Sequence, residues 1–331
     1  MVERDYILAR DRVDVRSALA LGRLMTPGWP SYRLVRMTIL RGDDAPGCAP
    51  PDPNPTRPAI RLPPLSCDSH FHVMGPRRVF PFADDRPYTP QDAPKEELFR
   101  LHEFLGFERG VFVQSSTHGR DHAVILDFLA AGQGRYRAVG LIDPSTPRAE
   151  VTRLHEAGVC GARFHFVPHL GEAMPPDDIR AVVAVIAPLG WHVEAHVGST
   201  GVLDYYDFFA SLDAPVVIDH IGRVDVDEGL DGKTISALRR LIDRGNVWVK
   251  LSGTDRITKQ PYPYLDAVPI ARNLAEHAPE RVVWGTDWPH PNHKAVPNDG
   301  ALVDLIAEIA PSERARRLML VENPAKLFGF P

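Results

Sequence analysis

Eight short apolar runs alternate with amphipathic stretches between residue 66 and the end of the 331-residue chain. Each run is followed by a stretch of helical length, a pattern typical of right-handed βαβ units in a parallel sheet. Eight such units match the size of a closed (β/α)8 TIM barrel. The predicted strands are 66–73, 110–114, 136–142, 161–166, 192–197, 215–219, 247–251 and 282–285, and the predicted helices are 95–106, 120–132, 147–157, 176–189, 201–212, 233–244 and 264–279, with more helix after residue 300.

A doubly wound open sheet is the alternative architecture for the same alternation of strands and helices. In that fold a Gly-rich phosphate loop commonly follows the first strand, and no such loop follows residue 73. We therefore favour the barrel and expect no nucleotide cofactor.

Residues 1–65 differ from the rest of the chain and are predicted to form an N-terminal extension to the barrel domain of residues 66–331. Eight prolines fall between Pro46 and Pro64, and large apolar side chains are almost absent before Ile60. Such a segment buries too little apolar surface to offset the entropy of ordering, so we expect it to be extended or poorly ordered.

Composition excludes several classes of protein. A net charge of -5 argues against a nucleic-acid partner, which would call for a basic face. No window approaches 18 apolar residues, so no membrane span is expected, and no secretory signal is apparent. Cys48, Cys67 and Cys160 have no paired spacing, which fits a reducing compartment and predicts a cytoplasmic protein. Neither a monomer nor a homo-oligomer is favoured.

Polar side chains cluster where the predicted strands end. In a TIM barrel, the carboxyl ends of the strands converge on one active site, whereas folding alone requires no ionisable groups there. Seven of the eight predicted strands end in such a cluster. These side chains are His70, His72, Ser116, His118, Arg163, His165, Glu194, His196, His220, Arg223, Ser252, Arg256, Asp287, His290 and Asn292.

Two of these clusters carry most of the chemistry. The run Trp-Gly-Thr-Asp-Trp-Pro-His-Pro-Asn at 284–292 places Asp287 just after a buried strand, where it is either a catalytic carboxylate or a cap of the next helix. His70 and His72 share one face of a strand, because side chains alternate along it. The two imidazoles could hold Zn²⁺, or they could bind substrate without a metal. Glu194 and His196 share a face in the same way.

Long motifs in the chain resemble the amidohydrolase superfamily, in its lactonase branch, and most closely the 2-pyrone-4,6-dicarboxylate lactonases. The resemblance spans about residues 65–330 and leaves out the N-terminal segment. It rests on Cys-Asp-Ser-His-Phe-His-Val-Met-Gly-Pro at 67–76, Phe-Pro-Phe at 80–82 with Tyr88 following, Val-Gln-Ser-Ser-Thr-His-Gly at 113–119, Ile-Asp-His-Ile-Gly-Arg at 218–223, and 284–292.

The resemblance implies hydrolysis of the ester bond of a small cyclic acidic lactone, such as a pyrone dicarboxylate, a muconolactone or a sugar-acid lactone. Asp287 would be the general base, and His70, His72 and His220 would polarise the carbonyl. Arg163, Arg223 and Arg256 would hold substrate carboxylates, although Arg223 could instead pair with Asp225 or Asp227. Further substrate contacts would be Tyr88, Ser116, His118, His169, His290 and Asn292.

Two positions depart from the pattern of the pyrone dicarboxylate lactonases. His169 stands where an Arg is expected, which removes one carboxylate clamp and argues against the pyrone dicarboxylate. His196 stands where a Tyr is expected, which restores the histidine of metal-binding members of the superfamily. One Zn²⁺ or Mn²⁺ ion on His70, His72, His196 and Asp287, with His220 orienting water, is therefore one prediction, and a metal-free mechanism is the other.

Two rival functions remain at the level of the sequence. A metal-dependent decarboxylase or hydratase of an aromatic-derived acid would use a similar set of residues on the same fold. A barrel without activity could serve for binding or structure, but the complete strand-end set argues against it.

Overall fold

In the computed structural model, which describes residues 41–293 and 295–331, eight parallel strands form one sheet in strict chain order. This sequential order confirms the predicted TIM barrel over the open sheet, and every predicted strand is present within two residues of its expected ends. The strands are β1 Cys67–Phe71, β2 Arg109–Val113, β3 Tyr136–Gly140, β4 Val159–Phe166, β5 His192–Val197, β6 Val216–Ile218, β7 Val247–Lys250 and β8 Val282–Val283.

Helices follow the strands and cover the outside of the barrel. In the first of them, Leu98, Leu101 and Leu105 recur at helical spacing and are buried, and the helix ends at Gly106, whose φ of 93° suits glycine. In the described part of the chain, no helix is long and apolar enough to cross a membrane. The α-helices are α1 Lys95–Leu105, α2 Ala123–Ala131, α3 Arg148–Ala157, α4 Pro176–Ile186, α5 Gly201–Asp204, α6 Tyr206–Ala210, α7 Lys233–Asp243, α8 Thr254–Ile257, α9 Val268–His277, α10 Asp299–Asp304, α11 Ile306–Ile309, α12 Glu313–Arg317 and α13 Asn323–Phe328.

The seam between β8 and β1 is closed by the buried carboxylate of Asp68. One oxygen accepts the backbone N–H groups of His70 and Thr286 at 3.1 and 3.0 Å, and the other accepts the Thr286 hydroxyl at 2.6 Å. His102 on α1 contacts the same carboxylate through Nε2 at 3.2 Å. Gly285 allows this close approach, since a Cβ there would lie 2.4 Å from the backbone nitrogen of His70. Asp68 therefore fixes β1 relative to the segment after β8.

Backbone hydrogen bonds complete the same seam and extend it to the carboxyl ends of the strands. Each joins β1, or the residue just after it, to the segment after β8. They run from Ser69 N–H to Trp284 O at 2.8 Å, from His72 N–H to Trp288 O at 2.7 Å and from Asp287 N–H to His70 O at 2.7 Å.

The opposite end of the barrel is closed by the C-terminal residues. Phe328 and Phe330 pack with inward-facing residues of β1, β2, β3 and β8 in a separate apolar cluster. The ring of Phe328 lies 5.4 Å from the ring of His192, the first residue of β5. This contact places α13 at the amino end of the strands, beside His192.

Residues 41–65, here called the N-terminal strap, are mostly extended and packed against the loops at the catalytic end. Cys48 N–H donates to Thr89 O, and Thr89 N–H donates to Pro46 O. Further along, Asn298 accepts from the backbone and hydroxyl of Thr56. The strap is thus largely extended and held by specific hydrogen bonds. Residues 1–40 of the predicted extension lie outside the described residues, and the domain boundary at 65/66 stays a prediction.

Candidate active site

The predicted strand-end side chains meet around one carboxylate, that of Asp287, which is 1% exposed. Its Oδ1 lies 3.2 Å from His72 Nε2 and 3.6 Å from His70 Nε2. Its Oδ2 accepts a hydrogen bond from Arg256 Nε and lies 3.9 Å from His220 Nε2. Three imidazoles and one guanidinium therefore surround a single buried acid.

The surroundings of Asp287 favour its charged form. Burial alone would raise the pKa of its carboxyl, but the Arg256 guanidinium and the His220 ring hold that pKa well below its usual range. The alternative role as a helix cap belongs to another residue, because the side chain of Asn298 accepts the N–H of Ala301 in the first turn of α10.

The loops that carry these side chains are held in uncommon backbone conformations. Nine non-glycine residues in the described part of the chain have positive φ, and six of them lie directly after β6 and β8. Such angles cost free energy, so the surrounding contacts must hold the loops in place. These six are His220, Ile221, Arg223, Asp287, His290 and Asn292.

His70 and His72 both face Asp287, as their two-residue spacing predicts, but they are held differently. His72 Nδ1 lies 2.6 Å from the carbonyl oxygen of Val113, so this nitrogen donates. His70 Nδ1 lies 3.1 Å from Lys250 Nζ. Burial and the Lys250 ammonium lower the pKa of His70 to about 3, so its ring is neutral near pH 7.

His220 is the third ring of the group. Its Nδ1 lies 3.1 Å from the hydroxyl of Ser252, the residue after β7. Burial holds the pKa of His220 well below its usual range, even though Asp287 acts in the opposite direction. The ring is therefore neutral and can accept or donate one proton.

A buried cluster of ion pairs lies beneath these rings, and the sequence predicted only part of it. Arg163 contacts Asp219 Oδ2 through Nε at 2.9 Å and through a terminal nitrogen at 2.8 Å. Lys250 donates to Glu194 and lies 3.6 Å from Asp219 Oδ1. The sequence signal for Lys250 was a lysine closing an otherwise apolar strand, and Asp219 stood inside a quoted motif without a role.

Arg223 is the cation of the site that lacks a matched carboxylate. Its Nε has no hydrogen-bond partner among the described residues. Burial, together with repulsion from Arg256, lowers the pKa of Arg223 to about 10. The alternative pairing with Asp225 or Asp227 is not formed, because both contact Lys259 instead.

His196 lies in a second group of imidazoles. Its Nδ1 is 3.4 Å from His165 Nδ1, and the ring of His169 is 6.3 Å away. The hydroxyl of Ser116 lies 3.3 Å from His165 Nε2. Burial lowers the pKa of His165, His169 and His196, so this wall of the site is polar but uncharged.

His118, a residue predicted to contact substrate, is engaged by the protein itself. His118 Nε2 accepts the backbone N–H of Gly75 at 3.2 Å, and its Nδ1 donates to Pro81 O at 3.2 Å. With both nitrogens occupied, His118 holds the loop after β1. Tyr88 is buried, and burial raises the pKa of its hydroxyl.

The loop after β8 meets the N-terminal strap at the rim of the site. Asn292 Oδ1 accepts from Cys48 Sγ at 3.3 Å, a contact that the sequence did not predict. His290 Nε2 lies 2.9 Å from Asp299 Oδ1. Burial acts to lower the pKa of His290, but the Asp299 carboxylate more than offsets it, and the pKa is raised.

The predicted metal ligands fit a metal only in part. Ligand atoms of His70, His72 and Asp287 lie within 4.8 Å of one another, and His70 Nε2 and Asp287 Oδ1 have no hydrogen-bond partner among the described residues. However, Arg256 occupies the other oxygen of Asp287, and its guanidinium would repel a nearby divalent cation. His196 belongs to no such group of ligand atoms in the described part of the chain.

The chain belongs to the amidohydrolase family, whose model, described as "Amidohydrolase", matches residues 67–330. This match confirms the family and the enzyme class predicted from the strand-end motifs.

Curated relatives carry three different names. A 2-pyrone-4,6-dicarboxylate hydrolase from Comamonas testosteroni is 41% identical over 83% of this chain and 93% of its own length. A 4-sulfomuconolactone hydrolase from Hydrogenophaga intermedia is 41% identical over 83% and 92%. A D-galactarolactone isomerase from Agrobacterium fabrum is 34% identical over 82% and 94%.

A solved structure supports the fold. The ligand-free crystal structure of a protein from Agrobacterium tumefaciens is 32% identical, with a TM-score of 0.71, and the match covers 83% of this chain and 99% of that one.

The raised pKa of His290 predicts a pH-dependent contribution of Asp299 to stability. A group whose folded pKa is raised stabilises the protein below its unfolded pKa, about 6.5 for histidine, and this stability is lost as pH rises through the folded pKa. The stability difference between wild type and Asp299→Asn should therefore be larger at pH 6 than at pH 9. Urea unfolding at both pH values measures it, and a difference independent of pH contradicts the assignment.

Proposed function

We propose that this protein hydrolyses the ester bond of a small cyclic lactone that carries a carboxylate or sulfonate group. The observation that supports this most is the ionised, buried Asp287, which faces the imidazoles of His70 and His72 and lies among cations. The names of the relatives, two of which are lactone hydrolases, point the same way.

Asp287 acts as the general base in this proposal. Its Oδ1, which lacks a hydrogen-bond partner within residues 41–293 and 295–331, takes a proton from the attacking water, while Oδ2 stays on Arg256. Water adds to the lactone carbonyl, and the resulting oxyanion is stabilised by hydrogen bonds from those imidazoles that carry a proton on the nitrogen facing the site. The bond between the carbonyl carbon and the ring oxygen then breaks, and the proton held by Asp287 passes to that oxygen.

Arg256 links substrate binding to the basicity of Asp287. In the free enzyme its guanidinium lowers the pKa of Asp287, which makes this carboxylate a weak base. When a substrate carboxylate shares Arg256, the positive field on Asp287 weakens and its proton affinity rises. The base thus becomes effective when an acidic substrate is bound.

The charges of the site favour an anionic substrate. Four cations lie among three buried carboxylates, and a fourth buried acid, Asp255, also acts on Arg223 and Arg256 but lies 3.0 Å from His293. The pKa of His70, His165, His196 and His220 is lowered, so these rings add no positive charge. Arg223 is the cation without a matched acid. The cations are Arg163, Arg223, Lys250 and Arg256, and the carboxylates are Glu194, Asp219 and Asp287.

Binding of a second anionic group, as in a pyrone dicarboxylate, is less well supported. His169 is neutral where a permanent guanidinium would bind such a group, and His196 adds a second neutral ring. We therefore favour a lactone with one strongly anionic substituent and further hydrogen-bonding groups, such as a muconolactone or a sugar-acid lactone.

Isomerisation of a lactone is the second candidate, because one relative is named as a D-galactarolactone isomerase. In that reaction a substrate hydroxyl, rather than water, would attack the carbonyl. Hydrolysis at neutral pH releases one proton per turnover and isomerisation releases none. A pH-indicator assay with mass analysis of the product, on dicarboxylate, sulfonated and sugar-acid lactones, separates the two. Loss of CO2 or formation of a hydrated acid would instead support the decarboxylase or hydratase.

Replacing the proposed base should abolish turnover. Asp287→Asn removes the proton acceptor, and kcat/KM should fall on the order of 10³-fold, the size expected for a general base. Asp225→Asn, which changes an exposed carboxylate paired with Lys259, is the matched control and should retain activity. Activity of Asp287→Asn within tenfold of wild type would exclude Asp287 as the base.

Replacing Arg223, which has no paired carboxylate among the described residues, should weaken the binding of charged lactones only. Arg223→Met should raise KM for an anionic lactone about 10–100-fold, because a charge-assisted hydrogen bond is lost. KM for an uncharged lactone with the same ring should change little. Arg153→Met, on the exposed face of α3, is the control. Equal effects on both lactones would argue that Arg223 has no role in recognising charge.

A further inference from the structure

We propose that Lys250 is a positioning residue that fixes the tautomer of His70 and makes His70 Nε2 a proton donor in the active site. Lys250 closes β7 and is fully buried. Its Nζ lies 3.1 Å from His70 Nδ1 and also donates to Glu194.

The chemistry of the two groups determines which of them donates the hydrogen bond between Lys250 and His70. An ammonium group has three N–H donors and no acceptor, so His70 Nδ1 must accept the hydrogen bond through its lone pair. A neutral imidazole carries its single proton on the other nitrogen, and an imidazolium could not accept from Lys250 at all. His70 therefore carries its proton on Nε2, the nitrogen 3.6 Å from Asp287 Oδ1.

Asp219 competes with Lys250 for the same nitrogen. Its Oδ1 lies 3.3 Å from His70 Nδ1, and because a carboxylate only accepts, this contact would favour a proton on Nδ1. Asp219 acts to raise the pKa of His70, but its Oδ1 is too poorly placed for a hydrogen bond within the described residues, whereas Lys250 Nζ is closer to Nδ1, at 3.1 Å. Arg163 meanwhile holds the other oxygen of Asp219. Lys250 therefore decides the tautomer.

The two histidines of β1 consequently present opposite groups to the site. His72 donates through Nδ1 to Val113 O, so the Nε2 of a neutral His72 would be an acceptor, whereas His70 Nε2 is a donor. A donor at this position can stabilise the oxyanion of the proposed reaction. It cannot bind a metal, because metal coordination needs the lone pair of Nε2. The kinetic part of this inference rests on the proposed function, but the tautomer itself does not.

The test replaces the buried pair while leaving its volume nearly unchanged. Lys250→Met combined with Glu194→Gln removes both charges together, which avoids leaving Glu194 unpaired. Glu194→Gln alone is the matched control, because it keeps the ammonium on His70. Thermal midpoints of both variants confirm that each is folded.

Nitrogen NMR of histidine-labelled protein reads the tautomer directly, with His70 assigned by comparison with a His70→Gln variant. Wild type and Glu194→Gln should show a protonated Nε2 and an unprotonated Nδ1. The double variant should move the proton to Nδ1, towards Asp219. A wild-type ring protonated on Nδ1 or on both nitrogens, or an unchanged tautomer in the double variant, would overturn the proposal.

Two further readouts separate positioning from a purely structural role. In the double variant, kcat for a lactone should fall about 10²-fold with KM little changed, because an oxyanion donor is lost. Its affinity for zinc, measured by titration without substrate, should rise above that of the control. If the NMR result holds and no lactone is opened, then the proposed function fails and the role of Lys250 stands.

Discussion

The buried ion pair of Asp287 with Arg256 is the interaction around which the catalytic end of this barrel is organised. Each charge alone would be costly to remove from water, and the pair is tolerated because further polar groups surround it. Asp287 is 1% exposed and meets three imidazoles as well as Arg256. The same contacts keep it ionised, so the arrangement that makes burial possible also prepares the proposed base.

A second buried carboxylate, Asp68, holds this arrangement in register. It accepts the backbone N–H groups of His70 and Thr286, one on each side of the seam. A shift of β1 against the segment after β8 would separate His70 and His72 from Asp287. The structural acid Asp68 and the proposed base Asp287 are therefore far apart along the chain but close in space, since Asp68 contacts Thr286, the residue before Asp287.

The sequence predicted the barrel and the central group of the site well, because both depend on local patterns. Alternating apolar runs identify strands, and the two-residue period places His70 and His72 on one face. The role of Lys250 was missed because the two-residue period of a strand shows that a side chain points inward but does not show which partner it contacts. Cys48 and His118 depend on how the strap and the loop after β1 pack, which no local pattern records.

Metal content measured together with activity tests the central claim most directly. The protein would be purified without a metal-affinity column, in buffers from which free metal has been removed. It would then be analysed for zinc and manganese and assayed on a sulfonated or carboxylated lactone. Our account predicts full ring opening with far less than one metal ion per chain, since Asp287 acts directly. Activity that rises in proportion to bound metal and is lost on chelation would contradict it.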